Sequence, residues 1–168
     1  MSSDELRSKL DAARRERWLG EWKLRQWPTV AGEFAGNLSH ANLLTARQIE
    51  AIADRIQPTL LQFYNFTPTR FYSTDRTAIV AALEAIRDGE RELECTLLLR
   101  DGQGIAGIRA QTSELIPMCE KLCVVDLQDV VVIWEEGRRG ILLERQSHDE
   151  EGRALPTCYL RTWGCKWT

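Results

Sequence analysis

The sequence predicts an α+β fold in which about three helices from the first half pack on a twisted antiparallel meander of five or six strands from the second half. Three observations carry this. Apolar residues recur at helical spacing behind capping signals as far as residue 87. Near residue 90 the apolar period falls from about 3.6 to about 2. Beyond that point, turn-forming clusters separate one alternating segment from the next.

The elements follow in order. Ser2 with Glu5 has the spacing of a capping box, and Leu6, Leu10 and Ala13 recur behind it, which predicts a first helix over 3–18. Gly20 is a natural stop. Trp22 and Leu24 then alternate with Lys23 and Arg25, so the spacing predicts a short strand to Trp27 with Trp22 and Leu24 inward and Lys23 and Arg25 outward. Residues 28–44 carry a proline, two glycines and two asparagines and read as an irregular loop. Thr45 with Gln48 repeats the capping box, and Ile49, Ile52 and Ile56 form an apolar stripe, giving a helix over 45–64 that Pro58 kinks or restarts. TRFYS at 69–73 suits a short strand. Ser73 or Thr74 caps a further helix over 74–87, with Ile79, Ala82, Leu83 and Ile86 on one face and Gly89 ending it.

In the second half, Leu93, Cys95, Leu97 and Leu99 share one strand face, and Glu92, Glu94 and Thr96 the other. Asp101-Gly102 with Gly104 signals a hairpin into GIAGIRAQTS, and EEGRRG at 135–140 joins VVVIW to GILLER. KLCVVDL at 121–127 reads as a strand, and HDEEGR at 148–153 loops to LPTCYLRTW. No repeat or linker divides the chain, so residues 1–168 are expected to form a single domain.

The totals limit function. The chain of 168 residues is long enough for a self-sufficient core, and a net charge of −3 gives no general attraction to phosphate backbones or anionic lipid. Nucleic acid and membrane are therefore not expected partners. The start MSSDELRSKL lacks the basic and then apolar pattern of a secretory signal, and five cysteines, an odd number, suit reduced thiols; a cytoplasmic protein is expected.

Catalytic candidates are sparse. The two histidines, His40 in NLSHAN and His148 in SHDEEG, both fall in polar loops, and Ser39 beside His40 is not made a nucleophile by adjacency. Glu92 and Glu94 form a same-face acidic pair whose bland role is a solvated strand surface. Cys119, Cys123, Cys158 and Cys165 could be combined into a four-thiolate site, but CYLRTWGC puts six residues between Cys158 and Cys165 where zinc sites place two to four, and Cys95 and Cys158 serve as small apolar strand residues. QFYNFTPTRFY at 62–72 interleaves aromatics with Arg70, but without a basic neighbourhood it reads as packing. No metal or cofactor is expected.

Tryptophan is the outlier, six in the chain, three of them within Arg17 to Trp27. Trp18-Leu19-Gly20-Glu21-Trp22-Lys23-Leu24 resembles the W-x-G-x-W opening of the first strand in the calycin superfamily, with Arg161 in YLRTW placed late enough to stack on Trp22. The resemblance spans seven contiguous residues and one distant arginine. It implies an antiparallel β-barrel enclosing a small apolar ligand or pigment, although the helices over 45–64 and 74–87 depart from that pattern.

The sequence thus predicts a non-catalytic intracellular protein-binding module, such as an adaptor, chaperone or inhibitor. It would act through Trp18, Trp22, Arg25, Trp27, Arg161 and Trp163, since Trp and Arg dominate interface hot spots. The alternatives are a calycin-like ligand-binding barrel and an enzyme with an acidic-pair or loop-histidine site.

Overall fold

The structure is a computed structural model and describes residues 3–34, 38–64, 72–73, 75–101, 104–125, 129–148 and 154–164. It is an α+β fold whose strands form one antiparallel sheet, with most of the helices in the first half of the chain. The helices are α1 (Ser3–Arg25), α2 (Trp27–Phe34), α3 (Ala46–Tyr64), α4 (Arg76–Gly89) and α5 (Thr112–Val125). The strands are β1 (Tyr72–Ser73), β2 (Glu94–Asp101), β3 (Gly104–Gln111), β4 (Asp129–Trp134), β5 (Arg139–His148) and β6 (Ala154–Trp163). The sheet order is β1-β6-β5-β4-β2-β3. With β1 at one edge and β3 at the other it does not close, so the calycin-like barrel is excluded.

Four local expectations change. The strand expected before Trp27 is helix, because Trp18, Leu19 and Trp22 fall on one face at helical spacing and dock together. Gly20 is passed without a break, and Leu24, expected to face inward, points to solvent at 80% exposure. Part of the expected loop over 28–44 is α2, where Pro28 in the first turn loses no helical hydrogen bond. Another part is a 3₁₀ turn at His40–Asn42. KLCVVDL is not a strand over 121–125 but the end of α5. Leu115, Met118, Cys119 and Leu122 lie on its buried face, and that packing overrides the β-preference of the two valines. Finally, the cap of α4 is Asp75, whose carboxylate accepts from the Thr77 amide at 3.1 Å, one residue beyond the expected pair.

The second capping box forms as expected. Gln48 Oε1 accepts from the Thr45 amide at 2.9 Å, and the Gln48 amide donates to Thr45 Oγ1 at 3.3 Å. The hairpin closes with Asp101 opposite Gly104, whereas 102–103 lie outside the described residues, as do 65–71, 149–153 and Cys165.

Direct cross-strand partners place Cys95, Leu97, Leu99, Ile108, Val130, Val132, Ile141, Leu143 and Leu160 on one sheet face. This face is buried throughout beneath α5, with α4 packed against α5 and β6. The helix α5 is the crossover from edge strand β3 to β4, which pairs with β2, so only β4-β5-β6 is a true meander. A buried chain of hydrogen bonds pins its start: Trp134 Nε1 donates to Thr112 Oγ1 at 2.8 Å, and that hydroxyl donates to Leu93 O at 2.8 Å.

The opposite face is crossed by α3, with α1 beside it over β3. The outer edge of β3 is tied down by the 3₁₀ turn. Leu44 N donates to Gly107 O at 2.9 Å and Asn42 Nδ2 to Arg109 O at 2.9 Å, occupying groups that an edge strand otherwise offers to other chains. No helix among the described residues is long and apolar enough to cross a membrane.

Two glycines separate close packing from open space. A Cβ on Gly140 would stand 2.1 Å from the Trp163 ring, whereas one on Gly20 would meet nothing within 4 Å. Gly140→Ala is therefore expected to destabilise the fold by about 1–3 kcal/mol. Gly20→Ala is expected to stabilise it by up to about 1 kcal/mol by removing a mid-helix glycine. Urea denaturation midpoints that move the same way in both variants would contradict this packing.

Candidate functional site

The six tryptophan and arginine residues expected to form one binding surface separate into two places. Trp22 and Trp27 are buried and pack on each other, ring centroids 6.2 Å apart, and His40 meets Trp27 edge-on at 6.2 Å. Trp18 is half-buried against Gly104 at the hairpin, and Arg25 is exposed. Arg161 and Trp163 stand on β6, separated from β3 by the three strands β5, β4 and β2. There Arg161 lies 3.6 Å from Glu144 and over the Tyr159 ring at 5.9 Å, not on Trp22. The Trp163 indole donates to Gly137 O at 3.0 Å. Burial makes most of these side chains anchors of the fold.

Among the described residues the catalytic candidates do not assemble either. Ser39 caps the 3₁₀ turn, its Oγ accepting from Ala41 N at 3.2 Å, and His40 is exposed. Glu92 precedes β2 and lies 3.7 Å from Arg91, whereas Glu94 starts β2 and lies 3.8 Å from Arg109, so the two do not share a strand face. The His148, Cys123 and Cys158 side chains lie outside the described residues. Cys95 and Cys119 are free and buried, and burial pushes both thiols up, Cys95 to about 12. Protonated thiols are poor nucleophiles and metal ligands. Among the described residues no group of three or more His, Cys, Asp or Glu is placed to hold a metal ion.

Helix α3 leaves a groove on each of its own flanks, over one face of the sheet. One, of about 520 Å³, mixes the apolar Ile52 and Ile133 with Thr96, Arg109, Arg55 and Glu136. Its charges are matched locally: Arg55 meets Glu136 at 2.8 Å, Arg139 meets Glu135 at 3.0 Å, and Arg109 Nε donates to Thr96 Oγ1 at 3.3 Å. The other, of about 440 Å³, has Leu98, Val131 and Leu142 on its floor. Both open to solvent. Between β4 and β5 the turn at Glu135–Gly137 holds φ of 48°, 58° and 94° in succession. Side chains over-determine it, since Arg139 also reaches Glu90 at 2.6 Å and Ile56 leaves no room for a Cβ on Gly137.

The surface feature without a structural role is the outer side of α1. Leu6 and Leu10 are 47% and 53% exposed and, with Leu24, are three of the four large exposed hydrophobics among the described residues. At 100° per residue, Leu6, Leu10, Ala13, Arg17, Gly20 and Leu24 fall on one stripe, opposite the docked Trp18, Leu19 and Trp22. The stripe is spaced four, three, four, three, four, which is a heptad pattern. That signal was present in the sequence, but a strand reading from Gly20 onward cut it short.

Two outcomes check these placements. Trp22→Ala is expected to cost about 3–5 kcal/mol as a core truncation, and Leu24→Ala to change stability by less than about 0.5 kcal/mol, measured by calorimetry. The raised Cys95 pKa stabilises the fold fully below the unfolded-state value near 9.0, and that contribution is lost as pH rises towards about 12. The urea midpoint should therefore fall over this window, and fall less in Cys95→Ala. Comparison with protein-family models, curated proteins and solved structures finds no match, which leaves side chains and surfaces as the carriers of functional inference.

Proposed function

We propose that this protein is a non-catalytic, intracellular protein-binding module and that it binds through the solvent face of α1. The carrying observation is the exposed leucine stripe of Leu6, Leu10 and Leu24, set opposite a tryptophan face already used to dock the helix. A helix consolidated on one side, with leucines and small residues at heptad spacing on the other, is a common means of engaging a partner helix. Leu6 and Leu10, one turn apart, form an exposed apolar pair at one end of this face, and Leu24 extends the same face at the other end.

Two further features agree with this reading. Among the described side chains, His40 packs edge-on against Trp27, Glu92 and Glu94 each lie beside an arginine, and Cys95 and Cys119 are buried. An apolar-ligand barrel has lost its motive, because the sheet is open and Trp22 and Trp27 are packed into the core. The cytoplasmic placement belongs to the same proposal and rests on the odd cysteine count and the free buried thiols Cys95 and Cys119.

Photo-crosslinking in the native cell tests the surface. A benzophenone amino acid at Leu10 or Leu24 should give one stoichiometric adduct, and the same probe at exposed Glu84 on α4 should give none. No adduct at either leucine position, or equal labelling at all three, would overturn the proposal.

A further inference from the structure

We infer that the partner of α1 is an acidic amphipathic helix, paired along the Leu6 to Leu24 seam as a two-stranded coiled coil. This rests on the protein-binding reading and goes beyond it in naming the chemistry of the partner. The seam runs from Leu6 to Leu24, about 27 Å of helix. Its heptad spacing keeps Leu6, Leu10, Ala13, Gly20 and Leu24 in register with a second helix, and Ala13 and Gly20 allow close approach.

Charge selects the occupant. The residues flanking the seam are Arg7, Lys9, Arg14, Glu16, Glu21 and Lys23, four cations against two carboxylates, and Arg17 lies in the seam itself. The ion pairs Arg14–Asp11 at 3.7 Å and Arg17–Glu21 at 3.3 Å are exposed ones within the same helix, which are weak and free to exchange for intermolecular pairs. A facing helix with carboxylates at its flanking positions meets most of these cations.

A second copy fits worse in either direction. Parallel copies set Arg17 against Arg17, Lys9 beside Arg14 and Glu16 beside Glu21. Antiparallel copies set Arg14 and Glu16 against themselves and Lys9 against Lys23, with Arg7–Glu21 the attractive exception. An anionic membrane suits the cations but not a narrow two-position seam bordered by Glu16 and Glu21.

The test uses the full-length protein and two synthetic helical peptides that share leucine seams, one with Glu and one with Lys at every flanking position. Fluorescence anisotropy should show binding of the Glu peptide at least ten-fold tighter than that of the Lys peptide. Leu10→Gln with Leu24→Gln should weaken it at least ten-fold while the urea midpoint stays unchanged. Arg7→Glu with Arg14→Glu should reverse the peptide preference. Equal binding of both peptides, binding of neither, sedimentation as a dimer that Leu10→Gln dissociates, or co-sedimentation with phosphatidylserine vesicles would each overturn the inference. Crosslinks at Leu10 without Glu-peptide binding would refute the partner chemistry alone, whereas missing crosslinks would refute the binding surface itself.

Discussion

The upper layer of this protein depends on helix α1 running unbroken through Gly20. Once the helix continues, Trp18, Leu19 and Trp22 turn to one side together, and that side has only the β3 edge, α2 and α3 to pack on. Trp22 meets Trp27, Trp18 closes over the glycine at the hairpin, and Arg15 reaches Glu50 of α3 at 2.7 Å. A break at Gly20 would scatter these contacts. The cost of a mid-helix glycine, about 1 kcal/mol, is small beside the burial of two indoles, which explains why the helix does not stop there.

The same geometry explains the exposed face. A helix docked by one stripe has an opposite stripe, and in most surface helices that stripe is polar. Here it carries leucines and small residues at heptad spacing, with cations dominant at its flanks. Beneath it, a sheet fully buried on the α5 side and tied at its β3 edge by Asn42 and Leu44 gives a fixed platform. The strained turn at Glu135–Gly137, held by Arg139, Arg55 and Trp163, fixes the β4–β5 corner without offering a reactive group.

Sequence periodicity revealed the fold class and the second-half hairpins because strand alternation and turn chemistry are local. The Thr45–Gln48 box and the Ile79 to Ile86 face were legible for the same reason. Errors arose where one short segment satisfied two periods. Trp22 and Leu24 alternate like a strand, yet only their distance along the helix from Trp18 decides which is buried. In KLCVVDL the valines favour strand, but Leu115, Met118, Cys119 and Leu122 needed a common face against the sheet. Composition alone does not assign the tryptophans: tryptophan is as good a core anchor as an interface anchor, and it is burial that places Trp22 and Trp27 in the core.

The central claim is that α1 presents two opposed faces, one consolidating the fold and one left for a partner. Paramagnetic relaxation of leucine methyl signals by a soluble gadolinium chelate tests it most directly. The account predicts strong enhancement at Leu6, Leu10 and Leu24 with protection at Leu19, and loss of the enhancement at all three when the partner helix binds. Protection of Leu24 in the free protein, or its persistence in solvent when the partner is bound, would contradict it.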